Sequence, residues 1–542
     1  MKTIFQSCKF NYSYLFLVIL IPLTQGCNNA KAMNIDASSS AVGVLLSDGD
    51  FGIFGNTGTS DGGAGGTTPA ATSPVNITLS GYVNVTSKDL NLTLTDSTTS
   101  TTQGLQLSAD GSYSFPTELA DGDSYSITFG TYTGGQTCTI ATGSGTAGTT
   151  GAATITCERQ LAIAAAWKTS SGVPVLKLFG VNHSSSPYSV TKNLSLTVGG
   201  SPSAVDPDLV WNGTKYLLVW KSSDSVIKGQ FYDIELSASG SSFTVYTGTS
   251  VTIDKVSAAF GSSEFAIVWS EFATAANAIK YQRINSSTGA TVGSVTNVRP
   301  ATTSLNFYSA DVIWNGSNYT TAFRQKTTSG TNSLLAYSFT TGTGTLIGNY
   351  STANGTDSLV LDYPALFWDG SISWLFYSQT NTNGSGDVTS ATLMRAKNLA
   401  TPASTVRTET NPYGCDPENN SGDQYMLPFV AKANATTLLV SYDSFCADMG
   451  VYNEVSDFPV TISSGAPGGF TDYSTSEIGS NRTSGSSVTC RTSNSTCFIS
   501  AGDEYSDAIF LFDPDFTGGI GGTSTIYPTD SNGIENPKTV IQ

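Results

Sequence analysis

The stretch that decides the fold reads Asp206-Pro-Asp-Leu-Val-Trp-Asn-Gly-Thr-Lys-Tyr-Leu-Leu-Val-Trp220. It consists of a short apolar segment, an Asn-Gly pair and a second apolar segment that ends in an aromatic residue. Asn-Gly is the pair that tight hairpin turns prefer, because the central positions of such turns need a positive φ. The stretch therefore predicts two antiparallel strands joined by an Asn-Gly turn.

The same pattern returns along most of the chain. Copies lie at 258–269, 311–323, 363–377, 429–442 and 488–501, and the second segment alone lies at 161–167. The second segments end 49 to 65 residues apart, and a third and a fourth apolar segment follow each of them. Four strands at a period near 50 are typical of β-propellers. The sequence therefore predicts a seven-bladed β-propeller over residues 159–542.

The ends of this repeat predict how the propeller closes. The first copy, 161–167, lacks a preceding first strand, whereas 536–541 (Asn-Pro-Lys-Thr-Val-Ile) matches the start of the 206–220 copy. A C-terminal strand paired beside 161–167 leaves no open sheet edge. The aromatic positions recur in register and are expected to pack between blades; these are Trp211, Trp220, Trp269, Trp314 and Trp368.

The repeat resembles the Trp-Asn-Gly propeller repeats of secreted bacterial proteins. The resemblance covers roughly two thirds of the chain and is strongest in the four copies between 206 and 377. The repeat has neither the Gly-Gly pair of kelch propellers nor the Trp-Asp and Gly-His pairs of another propeller family. We therefore assign it to neither of those families.

A shorter region, 75–158, alternates apolar and polar residues between turn signals and predicts an N-terminal antiparallel β-sandwich. Its segment Asp110-Gly-Ser-Tyr-Ser-Phe115 resembles the immunoglobulin-like modules of bacterial lipoproteins. In those modules a cysteine pair joins the last strands, so the resemblance implies a Cys138–Cys157 disulfide. The expected fold class is thus all-β, a sandwich followed by a propeller.

The N-terminus has the pattern of an export signal. Lys2 and Lys9 precede the apolar run 15–23, which is too short to span a bilayer. Gly26-Cys27 resembles a spirochaete-type lipobox, which implies a signal peptide over 1–26, a diacylated Cys27 and a flexible tether over 27–74. Asn28 follows the cysteine where an inner-membrane retention signal has Asp. The implied location is the outer membrane, surface-exposed, with the periplasmic face as an alternative; an ordinary secretory signal also stays open.

Without Cys8 of the signal peptide and the lipidated Cys27, six of the eight cysteines remain, an even number as expected for an oxidising compartment. No two of them have the Cys-x-x-Cys spacing of zinc or redox sites. Cys490 and Cys497 flank a predicted hairpin turn, which predicts a disulfide between them. Cys415 and Cys446 lie in two loops of the same predicted face, which predicts a second bridge.

Composition excludes several function classes. The formal net charge is −17 with a pI near 4.4, which argues against nucleic acid and against electrostatic docking on anionic lipid. The single histidine, His183, is expected in a solvated turn and excludes histidine-dependent triads and metal sites. Asp206/Asp208 and Asp513/Asp515 lack the loop that calcium needs, so we expect turn residues. No cofactor, metal or catalytic residue is predicted, and a monomer is expected.

The candidate binding face is the one where loops enter first strands and leave second strands. The longest such loop spans 406–427, and the loop after the second strand of the same blade is expected on the same face. Their candidate binding residues are Asp416, Glu418, Asp423, Asp443 and Phe445. We expect a non-catalytic propeller that binds a protein or a glycan, in adhesion or envelope interaction. The alternative is a glycosidase- or sialidase-like enzyme that uses carboxylates on this face.

Overall fold

The computed structural model describes residues 70–85, 88–168, 171–184, 188–274, 276–328, 330–351, 359–382, 388–399, 404–409, 425–445, 453–469, 471–473, 483–491, 495–503, 509–515, 519–526 and 535–540. All regular elements in these ranges are β-strands, so the predicted all-β class is confirmed. None of the described residues forms a helix long and apolar enough to cross a membrane. The signal segment, Cys27 and most of the tether lie outside the described residues.

The described strands before residue 160 form two four-stranded sheets and one small pair. They are β1 (Thr72–Ser73), β2 (Asn76–Ser80), β3 (Leu90–Asp96), β4 (Thr102–Leu107), β5 (Gly111–Ser114), β6 (Leu119–Ala120), β7 (Ser124–Phe129), β8 (Gln136–Ala141), β9 (Ser144–Thr146) and β10 (Ala153–Arg159). One sheet has the order β5-β2-β10-β8, and the other has the order β4-β3-β7-β9. The sequence predicted antiparallel pairing throughout, but β2 and β10 are parallel.

The alternation seen in the sequence builds the core between these two sheets. Leu90, Leu92 and Leu94 of β3 are buried, and the residues between them are half-buried. Since successive side chains of a strand point to opposite faces, one face of each sheet is apolar. The Cys138–Cys157 disulfide joins β8 to β10 at directly paired positions.

The described strands from residue 161 onward form seven four-stranded sheets, in which every strand pair is antiparallel. Sheet 1 contains β11 (Leu161–Lys168), β12 (Pro174–Asn182), β13 (Ser189–Leu196) and β38 (Glu535–Val540). Sheets 2 to 4 contain β14 (Asp208–Trp211), β15 (Tyr216–Ser223), β16 (Val226–Tyr232) and β17 (Phe243–Thr247); β18 (Val251–Phe260), β19 (Glu264–Ala273), β20 (Asn277–Asn285) and β21 (Thr291–Thr302); and β22 (Leu305–Trp314), β23 (Tyr319–Thr327), β24 (Asn332–Phe339) and β25 (Thr345–Ser351). Sheets 5 to 7 contain β26 (Leu359–Trp368), β27 (Ser373–Thr382), β28 (Val388–Lys397) and β29 (Ser404–Glu409); β30 (Tyr425–Lys432), β31 (Thr437–Phe445), β32 (Asn453–Thr461) and β33 (Thr471–Tyr473); and β34 (Thr483–Arg491), β35 (Thr496–Asp503), β36 (Ile509–Asp515) and β37 (Gly519–Ile526).

The second strand of a sheet is buried on both faces, which explains its nearly continuous apolar sequence. In β15, Leu217 and Val219 pack toward sheet 3, where they meet Phe265 and Trp269. The alternate residues of β15, including Trp220, pack toward sheet 1. Apolar side chains therefore fill the space between consecutive sheets, as in a propeller-like stack.

The C-terminal strand belongs to sheet 1. β38 pairs with β11, through Lys538 and Ala164 among others. The first strands of sheets 2 to 7 contact one another in order, and β38 contacts the first strands of both sheet 2 and sheet 7. β38 thus occupies the place that the first strand has in each other sheet.

The register of sheet 1 corrects one detail of the repeat alignment. Asp208 pairs with Val219, and Lys538, the matching residue of the C-terminal strand, pairs with Ala164. Ala165 therefore takes the place of Trp220 in sheet 1, and Trp167 lies two residues further on.

Candidate functional site

The first strand of every sheet has one equivalent position, defined by its partner on the second strand. In sheet 2 this position is Asp208, which pairs with Val219. In order from sheet 1, the seven residues are Lys538, Asp208, Ser257, Asp311, Ala365, Phe429 and Ser487, which we call the inner ring. All of them except Ser257 line a common narrow cavity of about 170 Å³. Residues more than 300 positions apart thus meet at the centre of the seven sheets.

Carboxylates of the inner ring link neighbouring sheets. Asp208 Oδ2 accepts a hydrogen bond of 2.7 Å from the backbone amide of Ala258. Asp311 repeats this contact one sheet pair later, because its Oδ2 accepts a 2.8 Å bond from the amide of Leu366. Ser257 donates its hydroxyl to Asp311 Oδ1 at 3.0 Å. These bonds hold both carboxylates in fixed positions.

Burial changes the protonation behaviour of this ring. It raises the pKa of the Asp208 carboxyl, and the nearby Lys538 ammonium acts in the opposite direction. Burial also lowers the pKa of Lys538; Lys255 acts in the same direction, and Asp208 and Asp311 act against it. The ring therefore holds two carboxyl groups and one ammonium group in a space with little water.

A larger cavity of about 460 Å³ adjoins the ring and shares Phe429 and Lys538 with the narrow one. Residues of the first strands of sheets 1 and 3 to 6 form most of its walls, together with the loop 203–207 that leads into β14 and residues near the ends of the second strands β15 and β19. Its charged and aromatic side chains are Asp206, Lys221, Asp254, Lys255, Phe272, Tyr363, Phe429 and Lys538. We call it the channel cavity. The sequence predicted binding on the face where loops enter first strands and leave second strands, and the channel cavity lies on a face of this type. Most of its walls, however, belong to sheets other than the one that contains the predicted binding residues.

The acidic groups of the channel cavity are already engaged. Lys221 Nζ lies 2.5 Å from Asp206 Oδ2 in an ion pair whose lysine side chain is 3% exposed. Asp254 Oδ2 accepts a 2.8 Å hydrogen bond from the amide of Ser309. A partly buried pair of this kind fixes the carboxylate as a hydrogen-bond acceptor.

Two lysines of the channel cavity differ from its acidic groups, because they form no hydrogen bond or ion pair with the described residues. Among the described residues, Lys255 has no hydrogen-bond or ion-pair partner. Lys538 contacts the ring of Phe429 at 5.2 Å, with no hydrogen bond or ion pair to the described protein. Each ammonium group carries three donors, so the cavity offers several donors that no group of the described residues uses.

A left-handed backbone conformation recurs at three residues of this cavity. Asp206, Ser309 and Tyr363 occupy equivalent positions two residues before the inner ring, and all three line the cavity. Their φ angles are 44°, 54° and 53°, a region that non-glycine residues rarely adopt. Strained residues that recur at one site are a feature of binding and catalytic sites.

The structure places few of the predicted binding residues. Asp416, Glu418 and Asp423, together with Cys415 and Cys446, lie outside the described residues. Phe445 ends β31, and its side chain also lies outside the description. The Cys490–Cys497 disulfide is present and spans the hairpin of β34 and β35.

Asp443 was predicted in a loop, and this prediction is wrong. It lies inside β31, because β30 begins at Tyr425 and pairs with β31 as far as Phe445. The Asp443 side chain is 3% exposed, and neither carboxylate oxygen has a hydrogen-bond partner of ordinary geometry. Burial raises the pKa of this carboxyl to about 7, although the polar groups of Ser486 act against the shift. Asp443 is thus a buried acid and not part of an exposed loop.

His183 also differs from the expectation of a solvated turn. It is half-buried, its ring lies 4.7 Å from that of Phe498, and its Nε2 lies 2.7 Å from Arg491 Nη2. A guanidinium only donates, so Nε2 accepts and the imidazole is neutral. Burial, together with the charge of Arg491, lowers the pKa of His183.

Sequence reasoning missed the inner ring and the channel cavity. It read Asp206 and Asp208 as turn residues, whereas one forms an ion pair and the other links two sheets. The available signal was weak: a charged residue stands at the inner-ring position in three of the seven sheets, as Lys538, Asp208 and Asp311. Within the described ranges no group of three or more His, Cys, Asp or Glu side chains is arranged to hold a metal ion.

Comparison with known proteins leaves the family open. No family model and no curated protein matches the chain. Among solved structures, the periplasmic gluconolactonase PpgL of Pseudomonas aeruginosa is 11% identical, with a TM-score of 0.43, over 70% of this chain and 99% of that one. A thermostable family-43 glycoside hydrolase is 15% identical (TM-score 0.33; 52% and 96% covered), and the Penicillium chrysogenum alpha-L-arabinanase complexed with arabinobiose is 12% identical (TM-score 0.34; 51% and 81% covered). At these scores the likeness says nothing about what this chain does.

Proposed function

We propose that this protein is a lipid-anchored carbohydrate-binding protein of a bacterial outer membrane, with no catalytic activity of its own. The anchor is the lipidated Cys27, after a signal peptide over 1–26 and before a tether over 27–74. The propeller binds the ligand at its channel cavity. The proposed role is adhesion or interaction with the cell envelope.

The architecture that we propose is an immunoglobulin-like sandwich over 75–158 and a seven-bladed propeller over 159–542. Seven consecutive four-stranded antiparallel sheets support it. The cyclic contacts of their first strands support it as well, since β38 meets the first strands of sheets 2 and 7. A closed ring of this kind creates a central channel, which is where propellers commonly hold ligands.

The channel cavity is the observation that carries the function. Its volume of about 460 Å³ lies in the range of small-ligand sites. The free ammonium groups of Lys255 and Lys538 supply donors, the fixed carboxylates of Asp206 and Asp254 supply acceptors, and aromatic rings supply apolar surface. Sugars present hydroxyl groups at their edges and C–H groups on their faces, so this mixture suits a carbohydrate better than a protein surface.

Binding without hydrolysis is favoured by the state of the carboxylates. A glycosidase needs one carboxyl group that delivers a proton and a second one that attacks or activates water. Asp208 has a raised pKa, but its Oδ2 accepts from Ala258 and its Oδ1 from its neighbour Leu209. Asp206 is paired with Lys221. These groups therefore serve as fixed acceptors, and the enzyme reading remains the alternative.

The test compares binding with turnover. We expect the purified ectodomain, residues 28–542, to bind members of a glycan array and to release no chromophore from a panel of nitrophenyl glycosides. Lys255→Ala should weaken the binding at least tenfold, because it removes donors that no protein group uses. Lys326→Ala, an exposed lysine of β23, is the matched control. Glycoside release above background, or equal binding by both variants, refutes the proposal.

The anchor has its own test. Cys27→Ser should release the protein from the membrane fraction and change its mobility, because the acyl chains are lost. Retention in the membrane with unchanged mobility contradicts lipidation. Digestion by protease added to intact cells distinguishes the outer surface from the periplasmic face.

A further inference from the structure

A second cavity lies where the sandwich meets the sheets that follow it. It has a volume of about 760 Å³ and differs from the channel cavity in every lining residue. Tyr82, Asp110 and the end of β10 form one side. The hairpin ends of the first strands, at Trp211, Trp368 and Arg491, form the other. We call it the junction cavity.

Arg159, the last residue of β10, is the unusual group in this cavity. The residue is 8% exposed, and its guanidinium has no hydrogen-bond acceptor among the described residues. Its Nη1 is fully buried without a partner. The Trp211 ring lies 4.3 Å from the guanidinium carbon. Arginine stays charged in proteins, so a buried guanidinium without an acceptor is destabilising.

The neighbouring groups do not balance this charge. Arg491 is 6% exposed, and its Nη1 contacts the Glu158 carboxylate. Its Nη2 contacts the backbone oxygen of Arg159 and the neutral His183. Lys432 adds a third positive group and donates to the backbone oxygen of Asp369. One carboxylate thus faces two buried guanidinium groups, in a chain whose net charge is strongly negative.

The other walls are aromatic and held in place. Trp211 and Trp368 both line the cavity. Tyr82 joins them, and the hydroxyl of Tyr82 donates to the backbone oxygen of Lys88. Asp110 accepts hydrogen bonds from the amides of Gly81 (2.8 Å) and Tyr82 (2.9 Å), so its charge is already used within the sandwich. Flat rings beside a cationic group form a surface that fits the C–H face of a pyranose.

We propose that the junction cavity binds a sugar acid, with the ligand carboxylate on Arg159 and the sugar ring against Trp211 and Trp368. The carboxylate supplies a charged acceptor that Arg159 lacks among the described residues. The ring displaces water from the aromatic walls. This site is separate from the channel cavity and does not depend on the proposed function of that cavity.

Sodium D-glucuronate is the probe, with D-glucose and inorganic phosphate in parallel. Titration calorimetry and tryptophan fluorescence should show saturable binding of glucuronate alone. The fluorescence should change because two tryptophans line this cavity, whereas the described lining of the channel cavity contains none. Arg159→Gln should weaken the binding at least tenfold, and Arg159→Lys should restore part of it. Arg283→Gln, at an arginine paired with Glu264 away from the cavity, should bind like the wild type.

Thermal stability of the ligand-free variants separates a binding role from a structural one. Removing a buried charge that lacks an acceptor should leave Arg159→Gln at least as stable as the wild type, and a clear loss of stability indicates a structural role and overturns the proposal. If glucose binds as well as glucuronate, the ligand carboxylate is not recognised by Arg159. If phosphate binds as well, the sugar ring is not recognised by the tryptophans. If no probe binds, the proposal is overturned and water alone fills the cavity.

Discussion

Replacing Asp443 by Asn should make the protein more stable at neutral pH and less sensitive to pH. Asp443 is a buried acid in β31 whose carboxylate oxygens have no hydrogen-bond partner of ordinary geometry among the described residues. Its pKa is about 7 in the folded protein, against an ordinary value of 3.8. Between these two values the folded state holds a proton that the unfolded state has lost. The free energy of unfolding therefore falls as pH rises from about 4 to about 7, and it stays level above that.

The size of this effect follows from the shift. A difference of about three pKa units corresponds to about 4 kcal/mol at pH 8, at about 1.4 kcal/mol per unit. With an unfolding entropy of about 2 cal/mol/K per residue over about 380 residues, this free energy corresponds to about 5 °C in Tm. Asn has the same shape and carries no charge, so Asp443→Asn removes the cost of ionisation.

Differential scanning calorimetry of the wild type and of Asp443→Asn from pH 4.5 to pH 8.5 measures the difference in Tm between the two proteins. We expect the Tm difference to be close to zero at the acidic end and to rise through pH 7 to several degrees in favour of the variant. Other titrating groups cancel in the difference. Asp121→Asn, at an exposed turn of the sandwich, should show a flat difference. A Tm difference for Asp443→Asn that does not change with pH refutes the argument.

Three further predictions concern how the chain is held together. Deleting residues 535–542 should abolish a single sharp calorimetric transition, because sheet 1 loses its first strand; an unaltered melting curve contradicts closure. Gly135→Ala should lower Tm clearly, because Gly135 has a φ of +74° and an added Cβ would lie 2.1 Å from the backbone oxygen of Ile234; an unchanged Tm rejects this close approach. Glu235→Ala should lower Tm more than Lys88→Ala, because Glu235 accepts hydrogen bonds from a backbone amide of the sandwich and from the exposed Lys88. Equal effects of the two substitutions on Tm would mean that the amide contact does not contribute to stability.

The repeat made much of the architecture predictable. The hairpin around Asn212-Gly213 and the place of the C-terminal strand both follow from local patterns, since turn residues and apolar periodicity are local properties. The parallel pairing of β2 and β10 does not follow from them, because it joins strands that are more than 70 residues apart. Asp443 was misplaced because apolar periodicity gives strand ends only to within a few residues.

The sites were less predictable for a physical reason. The inner ring has a different residue in almost every sheet, from Lys538 to Phe429, so its members share a position and no pattern. Arg159 and Arg491 lie 332 residues apart and contact each other only after the sandwich meets sheet 7. Such sites are defined by tertiary contacts, and a single sequence contains no record of them.

The place of β38 in sheet 1 also sets the order in which the chain is completed during synthesis. β11 emerges early, and its partner follows only after about 370 further residues. At about 5–20 residues per second, one edge of β11 waits about 20 to 70 seconds for its partner. During that time β11 has only β12 as a partner, and its other edge keeps unpaired backbone groups beside the apolar residues Leu161 to Ala166, so this edge is open to pairing with other chains until the last strand arrives.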